Sequence, residues 1–225
     1  TVSFPFGVDI YVSRFSADGT ALPASTYVGG TNNDGLNYRE IYNASQMIAY
    51  LGNDSLYANY GDGARGELIT DDQNNVYVGT TTFSADFPVT ENAFQSSFGG
   101  KQEGVVFKLD YSLRTMIFSS FIGGSEDDAV FSIDVDTNYN LYVTGGTVSE
   151  NFPVTENAYD TAFDGGATDG FLALVSFNAF ILTNKLVSRA NARKSAIVIL
   201  IASKHFTFAS TSCFFNSSFC FSIMF

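Results

Sequence analysis

The chain has 225 residues, with 23 Asp or Glu against 11 Lys or Arg and one His, so its formal charge is −12. Nucleic acid and anionic membrane surfaces are poor partners, because neutralising phosphates needs a basic patch. At 45% hydrophobic, 16% aromatic and 15% charged residues, it has enough apolar side chains for a sizeable core and does not read as disordered. No run reaches about 18 apolar residues, so no transmembrane helix is expected. There is no starting Met and no basic segment followed by an apolar run, so the chain reads as a mature product or a fragment.

Taken in chain order, the sequence predicts short strands rich in β-branched and aromatic residues, separated by Gly, Asn and Asp clusters. Residues 9–30 end in Ser25-Thr26-Tyr27-Val28-Gly29-Gly30 and align with residues 103–124, which end in Ser119-Ser120-Phe121-Ile122-Gly123-Gly124, at an offset of 94. The next stretch, residues 36–60, is rich in Tyr and Asn and reads as an insertion. Residues 76–93 and 141–158 then match at an offset of 65, with 11 of 18 positions identical. The shared core is Phe87-Pro88-Val89-Thr90-Glu91-Asn92-Ala93 against Phe152-Pro153-Val154-Thr155-Glu156-Asn157-Ala158.

Each unit reads as four strands, predicted near residues 129–135, 141–145 and 170–176 in the last copy, with the fourth seen at 116–122 in the copy before. Asp71-Asp72-Gln73-Asn74-Asn75 and Asp136-Thr137-Asn138-Tyr139-Asn140 predict tight hairpins, since Asn and Asp tolerate positive φ and cap their own turns. The resulting division is a partial unit at 1–35, the insertion at 36–60, a unit at 61–124, an incomplete unit at 125–176 and an atypical tail at 177–225. Four-stranded units of about 65 residues that cannot bury both faces alone must stack on like neighbours, and radial stacking makes a β-propeller. The fold class expected is therefore all-β, a partial β-propeller of four-stranded antiparallel blades with about two and a half repeats.

The string from Asn140 to Ala158, followed by Gly165-Gly166 and Asp169-Gly170-Phe171, resembles the SBBP-type β-propeller repeat. So does the strand from Phe118 to Gly124 with Ser125-Glu126-Asp127-Asp128 after it. The resemblance covers about residues 3–35 and 61–176. It implies a large secreted or surface-attached bacterial protein, in some cases associated with gliding motility.

The tail departs from this pattern abruptly. Residues 177–225 contain no Gly, Asp, Glu, Pro or Tyr, yet hold five of the 11 basic residues, the only His and both Cys. The charge divides accordingly: residues 1–176 hold 6 basic and 23 acidic residues, giving −17, and residues 177–225 hold 5 basic and none acidic, giving +5. The tail reads as out-of-frame translation or a misassembled end in preference to a genuine continuation, and its seven apolar residues at 196–202 make only a weak anchor.

Candidate sites are few. Asp134, Asp136, Asn138 and Asn140 alternate like the start of a calcium loop, but the glycine and distant Glu of that loop are missing, so a plain hairpin is the reading. Asp127 and Asp128 read as turn formers. The repeated body has neither His nor Cys, which removes Ser-His and Cys-His pairs; His205, Cys213 and Cys220 all lie in the tail. The Gly pairs lack the helix context of a phosphate cradle and read as turns. Phe87 and Phe152 are expected to anchor their loops while Pro88 and Pro153 set direction.

The ligand-contact candidates are Tyr38, Tyr42, Tyr50 and Tyr57 of the insertion, whose rings suit stacking on a sugar or protein surface; the alternative is that they cover a sheet edge. No catalytic residue, cofactor or metal is assigned. The expectation is a non-catalytic extracellular module of a bacterial cell surface, acting in adhesion or as a scaffold. Its partners would be a cell-surface protein or glycan and the remaining blades of a parent propeller. The competing expectation is a fragment of a propeller enzyme, glycan-cleaving or lactonase-like, that works through carboxylates or calcium.

Overall fold

The computed structural model describes residues 7–35, 39–43, 46–51, 56, 66–176, 182–186 and 219–224. Its elements are antiparallel strands, and the chain is all-β. In order they are β1 (Ile10–Ser16), β2 (Ala24–Val28), β3 (Arg39–Asn43), β4 (Gln46–Leu51), β5 (Glu67–Thr70), β6 (Val76–Thr82) and β7 (Glu103–Leu109). There follow β8 (Met116–Ile122), β9 (Asp128–Val135), β10 (Leu141–Thr147), β11 (Asp169–Val175), β12 (Leu182–Leu186) and β13 (Phe219–Met224). The four strands predicted from the repeat correspond to β9, β10, β11 and β8.

Three sheets carry the fold. The middle one runs β5-β6-β7-β8 and the third β9-β10-β11-β12, each a meander in chain order, while the first runs β13-β1-β2; β3 and β4 form a separate hairpin. The third sheet takes its fourth strand from beyond residue 176. Leu182–Leu186 of the tail pairs along β11 from Val175↔Leu182 to Phe171↔Leu186, and Phe219–Met224 pairs along β1. Both satisfy backbone N–H and C=O groups that an edge would otherwise leave to water.

The hairpins form as their sequences predict. Asp71 accepts the backbone N–H of Gln73 and Asn75 through Oδ1 and the Asn75 side-chain amide through Oδ2. Asp136 does the same for Asn138 and Asn140. The fourth residue of each turn is left-handed, Asn74 at φ 60° and Tyr139 at φ 63°. Because Asp136 spends both oxygens on N–H groups of its own turn, the segment is built as a hairpin. Asp110 closes a third turn, β7 to β8, through Ser112, Arg114 and Thr115.

Packing follows from strand alternation, which sends successive side chains to opposite faces. On the middle sheet Val76, Val78, Val105, Phe107 and Phe121 form one apolar cluster with Ile10, Val12 and Val28 of the first sheet. Tyr77, Val106, Phe118 and Ile122 point the other way into a cluster with Val130, Ile133, Val143 and Phe171 of the third. The middle sheet is thus buried on both faces. It packs tightly on β9 at Gly79, where an added Cβ would lie 2.5 Å from Ile133 Cγ2 and 2.8 Å from Val130 Cγ1. Phe87 and Phe152 anchor their loops: Phe87 packs among Phe107 and Phe121, and Phe152 stacks on Phe171 with ring centroids 4.5 Å apart.

The insertion interrupts a strand. Asp34 bridges Thr82 antiparallel, as Asp128 at the start of β9 pairs with Thr147, and β5 then resumes the pairing at Glu67↔Gly79. The chain therefore enters the first strand of the middle sheet at Asp34, leaves at Gly35 (φ 83°) and returns at Glu67. Within this excursion Leu56 is buried, its side chain 2.7 Å from the point a Cβ on Gly146 would occupy.

Candidate functional site

The most organised polar structure lies at the joints between sheets and occurs twice. At the second joint, the loop after β8 runs Gly123-Gly124-Ser125-Glu126-Asp127 into Asp128 at the head of β9. Asp128 Oδ2 accepts the Gly124 N–H at 2.7 Å and the Ser149 hydroxyl at 2.8 Å. Ser149 Oγ accepts the Glu126 N–H, the Ser149 N–H is held by Thr147 Oγ1, and Asn151 Oδ1 accepts both the N–H and the hydroxyl of Ser125.

The first joint repeats this set. Asp34 Oδ2 accepts from Gly30 N–H at 2.7 Å and from Ser84 Oγ at 3.0 Å, and its Oδ1 accepts from Thr82. Ser84 Oγ accepts the Asn32 N–H, and Asp86 Oδ1 accepts the N–H and hydroxyl of Thr31. The pattern is Gly-Gly-(Thr/Ser)-x-x-Asp on one segment with Thr-x-Ser-x-(Asp/Asn) on the next hairpin strand.

A second carboxylate completes each joint. The Cβ that Gly123 lacks would lie 2.2 Å from Glu103 Oε2 and 2.6 Å from Asp128 Oδ2; at Gly29 the corresponding oxygens are Asp9 Oδ1 at 2.5 Å and Asp34 Oδ2 at 2.7 Å. Glycine is required there because two carboxyl groups occupy the space of a side chain. Glu103 is fully buried, accepting the Gly99 N–H at 2.9 Å and a bond from the Gln95 amide. Burial and the nearby Asp128 charge push its carboxyl up to about 8 against the pull of the Gly99 and Gly100 N–H groups. Burial likewise raises Asp34 and Asp128 to about 6, partly offset by their Thr, Gly and Ser donors.

Asp128 is therefore a buried joint residue and not a turn former, and Gly123-Gly124 is more than a turn. Neither role shows in either segment alone; the available signal was that each short pattern occurs twice, Gly-Gly-(Thr/Ser)-x-x-Asp at an offset of 94 and Thr-x-Ser-x-(Asp/Asn) at an offset of 65. Above the joint, Phe94, Gln95, Gly99, Gly123, Gly124, Asn151 and Pro153 line an open cleft of about 280 Å³.

At the other end of β7 lies a cluster built around Lys108. Lys108 Nζ donates to Tyr77 Oη at 2.6 Å and sits 3.1 Å from Asp71 Oδ2, which also accepts from Tyr77 Oη at 3.1 Å. Burial works to raise Asp71, but the bonds from Asn75 and Lys108 prevail and hold it below the ordinary carboxylate range. Tyr139, from the hairpin of the third sheet, reaches across to donate to Asp72 and accept from Gln73. This cluster ties two sheets together on the side opposite the glycine joints.

Of the predicted contact residues, Tyr42 lies in β3 and Tyr50 in β4, where it pairs with Glu40. Tyr38 and Tyr57 lie outside the described residues, as do His205 and Cys213; Cys220 is in β13, opposite Phe15. Among the described residues, no three of His, Cys, Asp and Glu converge as a metal site would require, and no helix is long and apolar enough to cross a membrane. Neither a family model nor a curated protein matches the chain.

Proposed function

We propose that the chain is a segment of an SBBP-type β-propeller from a bacterial extracellular or cell-surface protein, serving as a non-catalytic adhesion or scaffold module. The observation that carries this is the middle sheet: it is buried on both faces by neighbours, and both joints use the same Gly-Gly and carboxylate set. A unit joined identically before and after itself is built to be extended by further copies. Radial arrangement of those copies makes the propeller.

The non-catalytic reading rests on where the carboxyl groups go. Asp34, Glu103 and Asp128 are fully buried, and they accept hydrogen bonds from the chain's own N–H and O–H groups. Acid–base work on a substrate requires a group within hydrogen-bond reach of it. The rigid stack instead holds loops at its rim, and we assign ligand contact to the insertion with Tyr38, Tyr42, Tyr50 and Tyr57, facing a cell-surface protein or glycan.

The test immobilises the chain and probes it with arrays of bacterial glycans and surface proteins, alongside a variant with those four tyrosines changed to alanine. Retention of a discrete ligand class, lost in the variant while its β circular dichroism is kept, is expected. Turnover of glycan or lactone substrates by the purified chain would replace the adhesion reading with the enzyme reading.

A further inference from the structure

The two joints use opposite faces of the middle sheet, which leaves the outer sheets with unlike free faces. Val12 and Val28 of the first sheet dock on the middle sheet; their equivalents 94 residues on, Val106 and Ile122, dock on the third. One further step along the repeat, the positions equivalent to Tyr77 and Val106 are Tyr142 and Leu172. Tyr77 and Val106 are fully buried beneath the third sheet, whereas Tyr142 is 40% exposed and Leu172 half-buried. Leu174 of the same face stands where the middle sheet has Lys108.

The opposite end carries the complementary face. Val105 and Phe121 of the middle sheet receive the first sheet. Their equivalents on the first sheet are Tyr11 and Tyr27, a cross-strand pair with ring centroids 5.3 Å apart, of which Tyr27 is 72% exposed. Aromatic groups that expose this much apolar area on a sheet face mark an interaction surface.

We propose that these two end faces dock on each other between copies of this chain, the Tyr142, Leu172 and Leu174 face of one copy seating on the Tyr11 and Tyr27 face of the next. The occupant follows from continuity: the same pair of faces already meets twice within the chain. The inference rests on the repeat-stacking reading above. The contact is heterologous, so it propagates head to tail into a ring or an open filament and does not stop at a symmetric dimer. It also lacks the glycine clamp, since residues 177–225 contain no Gly to follow β12. Apolar packing alone holds it, and association depends on concentration.

Sedimentation velocity from low to high micromolar protein tests this with two variants, Tyr27→Asp and Tyr142→Asp, each placing a charge on one end face. Wild-type chain should associate, and each variant alone should need at least tenfold more protein to do so. Mixed one to one, the variants should form a capped heterodimer, because each retains the face the other lacks. A wild-type chain that stays monomeric overturns the proposal, as does a mixture that fails to pair while both variants keep wild-type circular dichroism. Ligand retention by the array at concentrations where the chain is monomeric separates failure here from failure of the adhesion reading.

Discussion

Replacing Glu103 by Gln removes a carboxyl that folding keeps protonated, and its effect on stability should depend on pH in a defined way. In the unfolded chain Glu103 ionises near 4.5, and in the folded chain only near 8. Below 4.5 both states carry the proton and the group contributes no slope. Between 4.5 and 8 the unfolded state releases the proton and the folded state retains it, so stability falls as pH rises, by about 1.4 kcal/mol per pH unit. The whole window comes to about 5 kcal/mol, after which the curve is flat.

Asp34 and Asp128 add their own fall, but theirs ends near pH 6. The hairpin carboxyls Asp71, Asp110 and Asp136, held low, stabilise the fold as pH rises through the acid range and are level by about pH 5. Burial also raises Asp169, but it contributes equally to wild type and variant, so the difference between them from pH 6 to 8 isolates Glu103. Urea unfolding followed by circular dichroism at half-unit steps should show a downward slope in the wild type and a nearly level line in the variant, with similar stabilities near pH 5. At pH 8 the variant should melt about 10 °C higher, taking roughly 2–4 °C per kcal/mol for a chain of this size. Parallel slopes from pH 6 to 8, or a variant less stable than wild type at pH 8, would refute the assignment of a protonated, buried Glu103 at the joint.

Three further outcomes are expected. Gly123→Ala drives a methyl into Glu103 and Asp128 and should cost about 2–3 kcal/mol, whereas Gly165→Ala, whose Cβ meets nothing within 4 Å but whose φ is 84°, should cost only about 1 kcal/mol; thermal melts compare them. Asp71→Ala and Asp136→Ala delete equivalent turn caps, but only the first also removes the carboxylate paired with Lys108, whose side chain is 12% exposed. The Asp136 variant should lose about 1–2 kcal/mol and the Asp71 variant about 3–5 kcal/mol, read from denaturant midpoints. Phe152→Ala empties the stack on Phe171 and should cost about 3–5 kcal/mol, shifting the urea midpoint and leaving the far-ultraviolet spectrum at low urea unchanged.

Local chemistry was legible in the sequence. Asp71 and Asp136 each hold donors two and four residues away, so their hairpins follow from a few consecutive side chains. The strands follow from β-branched runs whose alternation suits a pleated sheet, and the repeat itself is a linear pattern. Phe87 and Phe152, flanked by proline, could be recognised as loop anchors for the same reason.

Pairing between distant segments was decided by tertiary structure. The insertion falls inside a strand because Asp34 and Glu67, far apart in the chain, pair with the same β6, which no local pattern records. Segments of the tail take places beside β11 and β1 because open edges accept any extended backbone that can supply N–H and C=O groups. Glu103 and Asp128 are ordinary acidic residues in the sequence and become a buried, proton-retaining pair only when β7 and β9 bring both carboxyls over Gly123. Burial and charge proximity depend on three-dimensional distance, and composition specifies neither.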